Sequence, residues 1–151
     1  MTAQDYTATF TVAQSPEQVF AAVTNPRAWW SEEIEGRTDT LGAAFKYHYK
    51  DLHRTTQKIT ELVPNQRIVW EVTESYVGFV ADTNEWLGTK IVFEIARKGA
   101  GTELRFTHVG LVPAIECYDD CCGAWGFYVN DSLRGLITTG SGNPNRKQQN
   151  A

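Results

Sequence analysis

The feature that most constrains this chain is its last apolar stretch, from about Ala114 to Thr139. Tyr118, Cys122, Trp125, Val129, Leu133 and Leu136 recur there at steps of three and four, the spacing of one helical face. Cys121 and Tyr128 widen the stripe. Pro113 stands just before the stretch and Gly140 just after it, as residues that start and stop helices do. Such a helix is roughly 35–40 Å long at about 1.5 Å per residue, enough to cross a small domain. Its apolar stripe needs a partner surface, and the rest of the chain reads mainly as β-strand.

Tyr6, Ala8, Phe10 and Val12 alternate with threonines, a strand pattern. Ser15-Pro16-Glu17-Gln18 opens a helix: Ser15 caps it, Pro16 fits its first turn and Gln18 completes a capping box. Asn25-Pro26 ends it, and Arg27 to Trp30 reads as one more helical turn that docks aromatic bulk on a sheet. A short strand is expected near Ile34, then strands carrying Phe45, Tyr47 and Tyr49, then Arg54 to Leu62, then Ile68, Trp70 and Val72. A connection from about Ser75 to Asn84 carries Val77, Phe79 and Val80. Trp86 to Arg97 reads as one long strand, and Lys98 to Gly101 as a tight turn into the strand of Leu104, Phe106 and His108. Short turns between consecutive strands imply antiparallel neighbours. The expected architecture is α+β: a curved antiparallel sheet of about six or seven strands, two short helices after the first strand, and the long helix covering the aromatic face. Residues 1–139 form one domain on this reading, and 140–151 a disordered polar tail.

The chain has 151 residues, which suits one domain that buries about two-thirds of its unfolded surface without metals or disulfides. The formal charge is −4 and no basic run precedes the tail, which argues against nucleic acid and anionic membranes as partners. No apolar run approaches the length of a membrane span, and the N-terminus lacks the pattern of a signal peptide. The three cysteines fall within Cys117–Cys122 and make no disulfide framework, so a reducing cytoplasm is the expected location.

Aromatic residues make up 12% of the chain, and aromatics line apolar ligand sites. Trp30, Phe45, Tyr47, Trp70, Trp86, Phe106, Tyr118 and Trp125 are candidates to surround a cavity between sheet and helix, with the tyrosine hydroxyls orienting a ligand. The plainer alternative is a solid aromatic core. His108 shares a face with Leu104 and Phe106 and points inward; it is either a proton-transfer group or a core histidine bonded to a neighbour. His48 and His53, the latter near a turn, are expected in solvent. Cys121 and Cys122 face the sheet as small apolar residues. Cys117 and Cys121 stand one helical turn apart, but no second pair completes a metal site, and neither metal nor cofactor is expected. Glu32, Glu33 and Glu35 read as a solvated acidic edge. No phosphate loop or nucleophile elbow occurs.

This order of elements resembles the helix-grip fold of the SRPBCC superfamily, which includes START domains, polyketide cyclases and the birch-pollen allergen group. Ser15 to Phe20, Trp29-Trp30-Ser31, Glu61 to Pro64, Trp70, Glu85 to Ile91, Leu104 to His108 and Leu133-Arg134 resemble the branch of homologues of the activator of heat-shock protein 90 ATPase. The resemblance covers roughly residues 5–139 and implies an apolar pocket between sheet and long helix. The leading functional expectation is binding of a small hydrophobic or amphipathic molecule without chemistry, through the eight aromatics named above together with His108, Cys121 and Cys122. A second is a cyclase- or hydratase-like enzyme using His108 with Tyr47 or Tyr118. A third is a stress-related co-chaperone-like interaction module, with Val77, Phe79 and Val80 as a surface for a homodimer or chaperone contact.

Overall fold

The computed structural model describes residues 5–49, 53–77, 86–112 and 118–144. Strand β1 (Tyr6–Val12) leads into helix α1 (Pro16–Val23) and a 3₁₀ turn (Pro26–Ala28). Strands β2 (Glu35–Gly36), β3 (Ala44–Tyr49), β4 (His53–Val63), β5 (Arg67–Val77), β6 (Lys90–Lys98) and β7 (Gly101–Val109) follow, all antiparallel to their neighbours, in the order β1-β7-β6-β5-β4-β3-β2. The expected α+β architecture is present, and a helical rod lies across the inner face of the sheet.

The start of α1 follows its sequence closely. Ser15 Oγ accepts the Gln18 amide at 3.3 Å, and Gln18 Oε1 accepts the Ser15 amide at 3.0 Å, so two otherwise orphaned donors are satisfied. Pro16, Val19, Ala22 and Val23 are buried. Trp29 and Trp30, just after the 3₁₀ turn, are 0% and 2% exposed, as their docking role requires.

Two irregularities between β4 and β5 bend the sheet. The register slips between Thr56 and Gln57, where Thr73 is the extra residue on β5, and again between Ile59 and Glu61, where Thr60 is the extra residue on β4. An extra residue shifts the two-residue period by one, so Val72, Trp70 and Ile68 face inward on β5 after Ser75 has done so. Bulges also sharpen the local twist, which helps the sheet curl around the helix.

The expected strand from Trp86 to Arg97 begins later than its composition suggested. Trp86 to Gly88 is a turn, β6 starts at Lys90, and Gly88 takes a φ of +81°, in the left-handed region that favours glycine. Asp51 and Leu52 between β3 and β4, the residues Phe79 and Val80, and the helix start from Ala114 to Cys117 lie outside the described residues, as does the side chain of Val77.

The terminal rod departs from the expected plain α-helix. It runs as α2 (Tyr118–Trp125), a π-helical segment (Gly126–Leu133) and α3 (Arg134–Thr139), with α-helical backbone angles at both junctions. Its fully buried apolar residues are Cys121, Trp125, Val129, Leu133 and Ile137, spaced by four throughout. Tyr118, Cys122 and Leu136, placed on the same stripe by the three-and-four reading, are only partly buried. In an α-helix a step of four overshoots one turn by about 40°. In a π-helix, with about 4.4 residues per turn, the same step falls short by roughly 30°. Alternating the two keeps a four-residue repeat on one line along the sheet.

Past Thr139 the chain packs back on the domain as far as Pro144. Gly140 caps α3 in the left-handed region, with φ +85°. The Asn143 amide donates to Ser132 Oγ at 2.7 Å, while that hydroxyl donates to the Trp29 carbonyl at 2.7 Å. A Cβ on Gly142 would stand 2.2 Å from the Ala28 carbonyl oxygen, so only glycine fits. One serine therefore ties the rod to both the aromatic turn and the terminal strap.

Candidate functional site

Side chains that alternate inward on β3 to β7 meet the rod and the Trp29-Trp30 turn in one aromatic layer. Trp30 stacks on Tyr47 at 4.1 Å between ring centres and lies 4.9 Å from Trp125 and 6.0 Å from Trp70. Phe45 meets the Trp70 edge at 4.9 Å. Trp125 continues the layer to Phe106 at 4.8 Å and to Trp86 at 5.8 Å. Eight of the eleven residues singled out in the sequence (Trp30, Phe45, Tyr47, Trp70, Trp86, Phe106, His108 and Trp125) are thus brought together, none more than 5% exposed. Cys121 is buried on the rod beside them. Tyr118 and Cys122 are half-buried and sit beside Tyr6 rather than in the ring layer; burial first, and then the Cys122 thiol, pushes both the Tyr6 and Tyr118 phenols upward. The rings touch one another throughout, so the layer is closely packed.

His108 sits in this layer with both ring nitrogens in use. The Trp125 indole N–H donates to His108 Nδ1 at 3.0 Å, and an indole nitrogen is never an acceptor. Nδ1 is therefore unprotonated, and Nε2 carries the hydrogen. That hydrogen points to Thr89 Oγ1 at 2.8 Å, and the threonine hydroxyl in turn donates to the Trp86 carbonyl at 2.6 Å. The chain Trp125 to His108 to Thr89 to Trp86 fixes one neutral tautomer. Burial, with the nearby His53 second, lowers the His108 pKa to about 3. Protonating Nδ1 would set two N–H groups against each other, so geometry and burial agree.

His53 corrects the sequence expectation of a solvated side chain. It is 8% exposed, faces inward, and meets Tyr47 at 5.2 Å and Trp86 at 4.5 Å, both edge-on. Burial lowers its pKa to about 4. His48 keeps its expected outward position and pairs with Glu33 at 3.4 Å.

The polar inner residues were not singled out in the sequence. Thr55 and Gln57 follow His53 at alternate positions of β4 and are 3% and 0% exposed. The Gln57 amide nitrogen donates to Thr55 Oγ1, while Gln57 Oε1 has no hydrogen-bond partner. The indole nitrogens of Trp70 and Trp86 are also buried and unpartnered. Buried polar atoms are nearly always bonded, so three on one inner surface call for an explanation.

A groove of about 520 Å³ opens on the other face of β3, β4 and β5, lined by Glu33, Glu35, Lys46, His48, Arg54 and Glu74 among others. Tyr47 and Thr55, a ladder pair whose side chains belong to the inner layer, form part of its wall. Arg54 lies 4.6 Å over the Tyr76 ring, and Thr56 donates to Glu74 at 2.8 Å. The acidic edge thus lies in a mixed-charge groove. Among the described residues no cluster of three or more His, Cys, Asp or Glu is placed to hold a metal ion, and no helix is long and apolar enough to cross a membrane.

A seven-stranded antiparallel sheet curled over a terminal helical rod, with an aromatic layer between them, defines a helix-grip protein of the SRPBCC superfamily. The sequence profile of the Activator of Hsp90 ATPase homolog 1-like proteins matches residues 13–138, and the chain belongs to that family. Among solved structures, the Aha1 dimer from Colwellia psychrerythraea superposes with a TM-score of 0.76 at 23% identity, over 92% of this chain and 99% of that one. MLL2253 from Mesorhizobium loti gives a TM-score of 0.69 at 16% identity, over 84% and 92%. DynU16, a protein of the dynemicin biosynthetic locus, also gives 0.69 at 16% identity, over 95% of this chain but 51% of DynU16. At these identities the likeness is one of fold. No protein of curated function matches the chain in sequence.

Proposed function

We propose that this protein binds a small amphipathic molecule against the inner aromatic layer and performs no chemistry on it. The observation that carries the reading is the set of unpartnered buried atoms, Gln57 Oε1 and the Trp70 and Trp86 indole nitrogens, set in an apolar ring surface. Ligand sites combine such apolar walls with a few placed polar groups. Trp30, Phe45, Tyr47, Trp70, Trp86, Phe106, His108 and Trp125, with Cys121 beside them, supply the wall; Gln57 and Thr55 supply the polarity. The occurrence of the same fold in a protein of a natural-product locus, DynU16, fits a small-molecule role.

The enzyme alternative rested on His108 as an acid or base. Both of its nitrogens are committed to Trp125 and Thr89, and its neutral form is favoured down to about pH 3. A proton shuttle needs a free nitrogen and a pKa near the working pH. His108 has neither, so it positions Trp125 instead.

The test uses the tryptophan side chains as reporters. Indole N–H resonances of Trp70 and Trp86 should shift when a bound molecule retained in native mass spectrometry, or a bicyclic probe, is added, while that of Trp125 should hold. A panel of such compounds that leaves both resonances in place rules the reading out. A second reading concerns assembly: the Colwellia relative is a dimer, and Leu87 and Val109, 52% and 40% exposed, offer apolar surface for a second copy. Sedimentation of the protein and of a Leu87→Asp variant tests it; a monomeric parent protein dismisses it.

A further inference from the structure

Among the described residues, the inner surface carries polar atoms but no charge. Its buried polar side chains, among the described residues, are serine, threonine, glutamine and histidine, with no lysine, arginine, aspartate or glutamate. Lys46 and Arg54, the chain neighbours of Tyr47 and Thr55, stand on the opposite face of the sheet. Both inner histidines are neutral: His108 because Trp125 and Thr89 hold its tautomer, and His53 because it is buried among Tyr47 and Trp86. An anion placed here would find no compensating cation, and an unpaired buried charge is far costlier than an unpaired dipole. As placed, Gln57 Oε1 offers an acceptor, and the Trp70 and Trp86 nitrogens are donors only. On β4, His53 lies edge-on to Trp86, and Gln57 stands two residues before Ile59, the ladder partner of Trp70. A flat ring suits such an aromatic surface.

We propose, resting on the small-molecule reading above, that the interior accepts electrically neutral, flat ring compounds whose hydroxyl hydrogen bonds Gln57 and whose oxygen accepts from a tryptophan indole. It rejects carboxylates of the same shape, and with them fatty acids and other anionic lipids.

Three probes of one ring system separate the claims: 2-naphthol, 2-naphthoate and naphthalene, each titrated against the full chain by calorimetry and by the Trp70 and Trp86 indole resonances. At pH 8 we expect 2-naphthol to bind at least tenfold more tightly than either of the others. Only the protonated acid should enter, so the affinity of 2-naphthoate should rise about tenfold per pH unit between pH 8 and 6, while that of 2-naphthol stays constant. Gln57→Leu, close in volume, should cost 2-naphthol about tenfold and leave naphthalene unchanged. Naphthoate binding as well as naphthol, with no pH dependence, overturns the neutrality claim and leaves the ligand site standing. Naphthalene binding as well as naphthol overturns the polar claim. Silence of both indole resonances with all three compounds overturns the small-molecule reading itself.

Discussion

The bond from Trp125 to His108 is the interaction on which the inner layer's order depends, and Trp125→Phe removes it with the least change of shape. The phenyl ring keeps contact with Trp30 and Phe106, now 4.9 and 4.8 Å from the indole. His108 Nδ1, 0% exposed with the rest of its residue, loses its donor and has no water to replace it. Leaving a buried acceptor unsatisfied costs about 1–3 kcal/mol. The lost ring area adds about 1 kcal/mol. The expected destabilisation is therefore about 2–4 kcal/mol, which for a chain of this size lowers the melting temperature by about 5–15 °C. Urea and thermal unfolding measure it. The cycle with His108→Phe separates the bond from the packing: in the double variant neither partner is orphaned, so it should be more stable than the sum of the two single losses by at least about 1 kcal/mol. Nitrogen-detected spectra of His108 give an independent reading, with hydrogen on Nε2 in the parent protein. Strict additivity in the cycle, or hydrogen on Nδ1, would falsify the tautomer argument.

The two buried histidines also predict an acid-sensitive fold. Both are neutral in the folded protein down to about pH 4 for His53 and about pH 3 for His108, whereas unfolded histidine protonates near 6.5. The unfolded chain therefore takes up protons first. Stability is complete above about pH 6.5 and falls as the pH drops through 6 towards 4, at up to about 1.4 kcal/mol per unit for each histidine. Urea midpoints from pH 7 to 4.5 should show this slope, and His53→Gln should keep about half of it; a flat profile contradicts the burial of both rings. Gly142→Ala should lift the terminal strap from Ala28, cost about 1–3 kcal/mol and expose the chain end to carboxypeptidase; unchanged stability would mean the strap is not held there. Gly123→Ala, in exposed α-helix with nothing within 4 Å of the new carbon, should instead stabilise by about 0.5–1 kcal/mol, and a loss would place that position in a contact.

Much of the fold was legible because local signals and burial agree. Ser15-Pro16-Glu17-Gln18 caps α1 as its residue types require, and the alternation in β1, β3 and β7 puts Phe10, Tyr47 and Phe106 inside. Legibility failed where one pattern fits two geometries. Val129, Leu133 and Ile137 at steps of four suit an α-helix with a wide stripe as well as a π segment with a narrow one, and only the sheet beneath decides. Trp86 and Leu87 have strand-forming side chains, so the turn there was readable only from Gly88. His53 was placed in solvent because it follows a turn, yet it shares its alternation with Thr55, Gln57 and Ile59, and that period was the available signal. Gln57 itself was hidden because a polar strand residue is assigned by default to the wet face. Thr89 gave no signal at all, since its role depends on His108, nineteen residues away.

The irregular rod and the site have a common cause. Trp125 ends α2, and Ser132 lies in the last turn of the π segment; these two residues make the side-chain bonds that tie the rod to β7 and to the Trp29 turn. The cross-ties therefore bracket the unwound segment. A π-helix is costly by itself, and the line of Trp125, Val129 and Leu133 against the sheet is what holds it. If the segment relaxed to α-helix, two steps of four would carry Leu133 from about 60° short of Trp125 to about 80° past it, and the indole and the serine hydroxyl could no longer reach their partners together. The same geometry makes the rod a rigid lid over the layer, fixed at two points about one helical segment apart.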